Sequence, residues 1–450
     1  MNQVDQLLQD YIDDARVEQI VAAIRQDGPP ARLQLRRLAG ALEAFLMAGT
    51  YKQAGAHHLI IATDKEEAAY LQNSLSSLLQ PKTVRLLPDS FKRPMYFEVL
   101  DPTNILLRTE TINYLTNSKS KGELVVTYPE ALFEKVVAPQ VLNEARINIT
   151  KGETLDVDTI VGVLAEYGFK REEFIYEPGQ YSIRGGIVDI YSYGNDYPYR
   201  IELFDDEVES VRTFDPLNQL SVKEVDNVSI VPNINTKFSQ EQKVSVFQVL
   251  PENTTVWLKD FQLLLDKLAE AYDRAIAFGE NLTIIDDQEL AQIFKDRAFI
   301  RPGEVIEDVI TKPIIIFSDY KQSAELFGPI NSAADQDPAP AEVQNLSAPI
   351  TIDCNAQPQP SFNKNFELII RNLNENTNEG IKNFILTDNP KQVERFYSIF
   401  NDLDANVQFE PILRDISAGF IDFAGGKAIY TDHQIFERFH RYKLKRGFTK

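Results

Sequence analysis

The hydrophobic pattern changes period several times along the chain. From Val4 to Ile24, Leu7, Leu8, Tyr11, Ile12, Val17, Ile20, Val21 and Ile24 recur at helical spacing, which predicts one amphipathic helix or two. Gly28-Pro29-Pro30 breaks that pattern. Leu33 to Ala48 predicts a second helix with Gly40 inside it. Apolar runs of strand length then alternate with helical stretches. Strands are expected at His58–Thr63, Val84–Leu87 and Glu123–Thr127. Helices are expected from Asp64 to Leu79, from Thr103 to Leu115 and after Pro129. Alternation of this kind predicts an α/β layer with parallel pairing.

The period drops to two between Tyr176 and Phe214. Tyr176-Glu177-Pro178-Gly179, Gly194-Asn195-Asp196 and Asp205-Asp206 are turn signals. Gln180 to Tyr191 is strand-like, and its Gly185-Gly186 pair predicts a bulge or a close backbone approach. Along the next strand Tyr199, Ile201 and Leu203 share one face, and Arg200, Glu202 and Phe204 share the other. The second face carries an arginine and a large aromatic, residues that interfaces enrich. An ordinary sheet with one wet face would read the same way. A helix capped by Asp156 or Asp158 and stopped by Gly168 precedes this stretch. Together Arg146 to Pro232 predict a small α+β insert.

Helix and strand signals return from Phe238. Strands are expected at Thr255–Leu258, Pro313–Phe317, Asn383–Thr387 and Ala428–Thr431, with Val343–Cys354 a strand pair. Phe261 to Ile276 is a strong amphipathic helix, and Asn389-Pro390 starts another that runs to Phe400. Asn331–Glu342 reads as a loop or linker, and the polar, proline-bearing stretch at 355–365 as a second boundary.

Composition narrows the function. The 450 residues suggest about three domains. A net charge of -21 argues against a chain that grips nucleic acid by its bulk field. A single cysteine, Cys354, excludes an internal disulfide and a cysteine-based zinc site. The four histidines, His57, His58, His433 and His440, show no ligand spacing and are expected at the surface. No apolar run reaches membrane-spanning length, and the acidic amphipathic start is not a signal peptide. A cytoplasmic protein is the expectation.

Nucleotide chemistry would need a glycine-rich loop followed by Gly-Lys and a Ser or Thr. The nearest stretch, Leu38 to Phe45, has one glycine and no lysine, and Glu43 would repel phosphate. Thr255 to Asp260 resembles a strand end that could hold magnesium, but only Asp260 is acidic and the signal is weak; Ile284 to Glu289 also resembles an acidic strand end, and without a phosphate loop a helix cap is the favoured reading.

The block YEPGQYSIRGGIVDIYSYGNDYPYRIELFDDEVESVRTFDP, Tyr176 to Pro216, resembles domain 2 of the bacterial transcription-repair coupling factors (Mfd) and its counterpart in the excision-repair protein UvrB. Leu86–Leu115, Glu123–Lys135 and Tyr430–Leu444 fit the same resemblance. It implies a degenerate helicase-like, UvrB-like domain 1 split into 1a (1–145) and 1b (233–354), with an inserted α+β domain 2 (146–232). A linker (355–365) and a small α/β domain 3 (366–450) would follow. UvrB's phosphate loop and acidic pair have no counterpart at Leu38–Phe45 and Thr255–Asp260. Phe91–Asp101 is too short for its DNA-gripping hairpin.

The resemblance therefore implies a non-catalytic module that binds UvrA through Arg184, Arg200 and Phe204, with no cofactor or metal site. It also implies masking by a C-terminal domain, and contacts to RNA polymerase and DNA through domains beyond Lys450. ATP and magnesium would belong to a translocase there. An active UvrB-type hydrolase and an acidic scaffold without UvrA contact are the competing expectations. Replacing Arg200 or Phe204 with Ala is expected to weaken UvrA binding by more than about 1 kcal/mol without unfolding the chain.

Overall fold

The computed structural model describes residues 3–93, 96–97, 99–116, 122–193, 195, 197–231, 243–280, 294, 299–319 and 350–438. The Asn331–Glu342 linker, the Ile284–Glu289 strand end and His440 lie outside these residues.

Seven parallel strands form the central sheet. Their order is Ile350–Asp353, Arg32–Arg36, Ile314–Phe317, Thr255–Leu258, His58–Ile61, Leu124–Thr127 and Arg85–Leu86. Four of them are buried along their whole length, as parallel strands covered on both faces must be. Their alternate side chains feed two cores. Ile60, Val126, Trp257 and Ile315 join one, under the helices Gln3–Ile12, Ala15–Arg25, Leu42–Ala54 and Lys65–Leu78. Leu59, Ile61, Val125, Val256, Leu258, Ile314 and Ile316 join the other, with Ile112, Leu268 and Val305 from the opposite helices.

At the start of the chain one expectation is settled between its two options and one fails. Val4–Ile24 resolves into two helices because Asp14 caps the second, its side chain accepting from the Arg16 N–H at 2.8 Å. The stretch expected as one helix, Leu33–Ala48, is a central strand followed by a turn and the helix Leu42–Ala54. Leu33 and Leu35 are fully buried on one face, so the strand's period of two prevails. Gly40 is therefore not a helical glycine. It sits in the turn at φ 52°, and a Cβ there would run into the backbone of Gly419.

The six-stranded sheet of the insert runs in the order Ser221–Glu224, Glu207–Phe214, Tyr199–Phe204, Ile187–Tyr191, Gln180–Arg184 and Lys170–Arg171. All its pairs are antiparallel except the last. The helix Val157–Glu166, capped by Asp156, buries Ile160 and Leu164 in the same core as Val188, Ile190, Ile201 and Val211. Gly185-Gly186 is not inside a strand; it is the turn that joins two of them. The close approach is real, because the Leu203 N–H donates to the Gly186 carbonyl at 2.7 Å.

The third sheet shows that 355–365 is no plain tether. Ala356–Pro358 is a strand paired with Phe420–Asp422, Phe362 is buried, and Asn365 caps the helix Phe366–Asn378. Nor is this part a separate bead. Phe384, Leu386, Ile412, Ile416, Phe420 and Ile429 lie in the same core as Leu33 and Phe45. Asp422, fully buried, accepts from the Tyr11 hydroxyl at 3.0 Å and from both terminal nitrogens of Arg16 at 3.0 and 2.7 Å.

His57 and His58 are buried rather than exposed. His57 Nδ1 accepts from the Glu123 N–H, and His58 Nδ1 accepts from the Trp257 indole at 3.0 Å. Burial pushes His58 down to about 3, so it stays neutral at ordinary pH. No helix among the described residues is long and apolar enough to cross a membrane.

Candidate protein-docking face

Register builds the outer face of the insert. Residues directly opposed across a sheet share a face, and one row reads Ser182, Asp189, Arg200, Arg212, Glu224. The neighbouring row along Tyr199–Phe204 is Ile201, which is fully buried, with Tyr199 and Leu203 packed beside it. The expected division of this strand into two faces holds, although a register shift intervenes between Glu202 and Leu203.

Asp189 organises the face and was not a candidate from sequence. It is buried, and it holds both arginines. Arg184 Nη2 donates to Oδ2 at 2.6 Å; Arg200 donates from Nε to Oδ1 at 2.7 Å and from Nη2 to Oδ2 at 2.8 Å. Arg200 also donates to Gln219 Oε1 at 3.0 Å and lies 4.2 Å from the centre of the Phe214 ring. Arg184 covers Phe174 at 4.8 Å. The hydrogen bonds to Asp189 raise Arg200 further above its ordinary value. Beside them Glu202 accepts from Ser210 at 2.6 Å and pairs with Arg212, and these contacts hold its carboxyl below the usual range. The signal for Asp189 was there to find: one acid among apolar neighbours in Ile187–Tyr191, on a strand whose partner carries Arg200.

The three expected residues are therefore unequal. Phe204 projects from the strand end with 71% of its surface exposed. The Arg184 side chain is 35% exposed and Arg200 only 13%. Arg200 is mostly a strut whose edge reaches the surface. Phe204 is an apolar ring left open to solvent among the described residues. Phe174, under Arg184, and Tyr176, whose N–H donates to Gln180 Oε1 at 2.8 Å, add exposed rings on the same stretch.

The turn at Leu38–Phe45, where sequence would look for a phosphate loop, is closed by the chain itself. The Ala41 N–H, at the start of the helix Leu42–Ala54, donates to the Ala418 carbonyl at 3.0 Å. The loop before Phe420 is held there by Ser77 Oγ on the Asp415 N–H and Ser74 Oγ on the Ser417 N–H, each 3.0 Å. Glu43 lines the adjoining cleft with Thr63, Asp64, Glu66 and Glu67, and Lys259 pairs with Glu67. Asp260 caps the helix Phe261–Glu280, its carboxylate accepting from the Leu263 N–H at 3.0 Å. Among the described residues no group of three or more His, Cys, Asp or Glu could hold a metal ion.

Residues 147–235 match the family model of the UvrB interaction domain. The chain is 27% identical over 273 residues to the transcription-repair-coupling factor of Bacillus subtilis (strain 168), covering 59% of this chain and 22% of that protein. Residues 147–235 are thus similar to the UvrB interaction domain, and the chain as a whole is similar to transcription-repair-coupling factors. The Haemophilus influenzae factor is 29% identical over 176 residues, covering 39% of this chain and 15% of that protein. UvrABC system protein B of Thermosipho africanus is 26% identical over 203 residues, covering 43% of this chain and 31% of that protein. The chain thus spans less than a third of the curated relatives it matches. The candidate face, Gln180 to Phe214, lies wholly within the matched residues.

Proposed function

We propose that this chain is a recruitment module that binds UvrA through the outer face of its insert and so couples a stalled RNA polymerase to nucleotide excision repair. The observation that carries the reading is Phe204, exposed beside a locked Arg184–Asp189–Arg200 cluster within the matched domain. A fixed cluster gives up little side-chain freedom on binding, and the arginine edges can meet carboxylates while Phe204 fills an apolar pocket.

The module is non-catalytic in this reading. The phosphate-loop turn has no lysine, carries Glu43, and gives its helix-start N–H to Ala418. The division into domain 1a, insert, domain 1b and a third unit belongs to the same reading. So do a cytoplasmic location, contacts to RNA polymerase and DNA through further domains, and masking of the face by a C-terminal domain. Titration with purified UvrA tests it, with ATP as the control ligand. Phe204→Ala should weaken UvrA binding by about 1–2 kcal/mol with an unchanged melting curve. Unchanged affinity would sink the assignment, and measurable ATP heat would sink the non-catalytic part.

A further inference from the structure

Beyond the far end of the same strand from Phe204, the chain from Asp215 to Leu220 forms a tight lobe. Asp215 Oδ1 accepts from the Leu217 N–H at 2.8 Å and from the Asn218 N–H at 3.4 Å. Asn218 Oδ1 accepts from the Leu220 N–H at 2.8 Å. The backbone closes on itself, with Gln219 N to Asp215 O at 2.8 Å and Asp215 N to Leu220 O at 2.9 Å. Gln219 stands at φ 63° and accepts from Arg200. These bonds pair the polar groups of the lobe with one another. Exposed on it, beside Asn218, are Leu217 at 74% and Leu220 at 67%, with Val222 half-exposed on the adjoining edge strand.

Single exposed leucines need no explanation, but two on a rigid lobe bonded to Arg200 do. We propose that Leu217 and Leu220 form a second apolar anchor of the docking face, and that the partner seen by Phe204 also covers this lobe. The inference rests on the UvrA reading above. Continuity favours this occupant: Phe204 stands at one end of the strand, the lobe beyond the other, and Arg200 between them bonds to the lobe. A six-residue strand is roughly 20 Å long, so both ends fall within the footprint of one partner at an ordinary interface of about 800 Å² a side. The occupant must offer two apolar pockets about one strand length apart, with carboxylates or carbonyls between them for the arginine edges.

The full chain is titrated with purified UvrA as wild type, as Phe204→Ala and as the double variant Leu217→Ser, Leu220→Ser. Both substituted side chains face solvent, so the melting curve should stay unchanged. A loss of affinity of tenfold or more in the leucine variant, alongside the loss in Phe204→Ala, supports the proposal. Wild-type affinity in the leucine variant with a loss in Phe204→Ala overturns it and leaves the UvrA reading standing. No loss in either variant removes both. Sedimentation of the chain alone gives the remaining outcome: a wild-type dimer that the leucine variant dissolves would assign the lobe to a second copy and overturn the proposal.

Discussion

The turn between Arg36 and Leu42 and the sheet face around Arg200 are built from similar material, and they end differently. Each gathers polar groups at the edge of a sheet. At the turn, the chain supplies its own partner: the Ala418 carbonyl takes the Ala41 N–H, and Gly419 packs on Gly40. At the sheet face, the charges are satisfied within the sheet by Asp189, while Phe204, Leu217 and Leu220 are left to solvent. A polar site loses its capacity for an outside ligand when the chain fills it. An apolar surface keeps its capacity only while nothing covers it. The difference between the two regions is thus one of occupancy, and it can be attacked from either side.

The largest effect should come from opening the closed side. Asp422 is buried and binds Tyr11 and Arg16 across the joint between the third unit and the N-terminal helices. Asp422→Ala would leave Arg16 buried with Asp14 as its remaining carboxylate. Breaking a buried pair by removing one partner costs about 3–5 kcal/mol. Thermal unfolding should show the whole central sheet destabilised, because Phe420 and Phe384 share its core. A melt in which only the third unit loosens would show that the two parts are not one cooperative body.

Arg200→Ala should rank next. Sequence alone presents Arg200 and Phe204 as equivalent probes, since alternation puts both on one face. The structure separates them. Removing Arg200 strips Asp189 of two of its three hydrogen bonds and frees Gln219, so it should cost about 2 kcal/mol of stability as well as binding. Paired melting and UvrA titration check this: Arg200→Ala should shift both, and Phe204→Ala only the second. Equal melting curves for the two variants would mean the Asp189 cluster does not hold the face.

How much of this was legible follows from the range of the interactions. The strand Tyr199–Phe204 could be read because turns flank it and its pattern is local. Arg32–Arg36 could not: Leu33 and Leu35 fit a strand face, Leu35, Leu38 and Leu42 fit a helix stripe, and only neighbours such as Ile314 and Ile352, hundreds of residues away, decide between them. The stretch 355–365 looks like a linker by composition, yet its strand is defined by pairing with Phe420–Asp422. The arginines of the candidate face were visible as residue types. Their counter-ion Asp189 stands out as the single acid of an apolar strand only once Arg200 is placed on the partner strand, and the leucine lobe lies in a turn whose hydrogen bonds no local pattern reveals.

The smallest effect concerns the charge left inside the closed side. Glu43 faces the cleft beside the Ala418 contact, and burial pushes its carboxyl from 4.5 to about 7, with Lys259 pulling it back and Glu67 adding to the rise. The sign follows from proton counts. Between pH 4.5 and 7 the folded chain keeps a proton on Glu43 that the unfolded chain has released, so stability falls as pH rises through that window. Below it the folded state carries no penalty; above it the penalty is complete. Glu43→Gln removes the ionisation and should stabilise the chain by about 1 kcal/mol at pH 8 while changing little at pH 4. Melting curves of both proteins across that range check it. A gain equal at both ends would mean the carboxylate is already ionised and compensated by Lys259. The cleft beside the closed turn would then be a solvated acidic surface, and the contrast with the docking face would rest on the Ala418 contact alone.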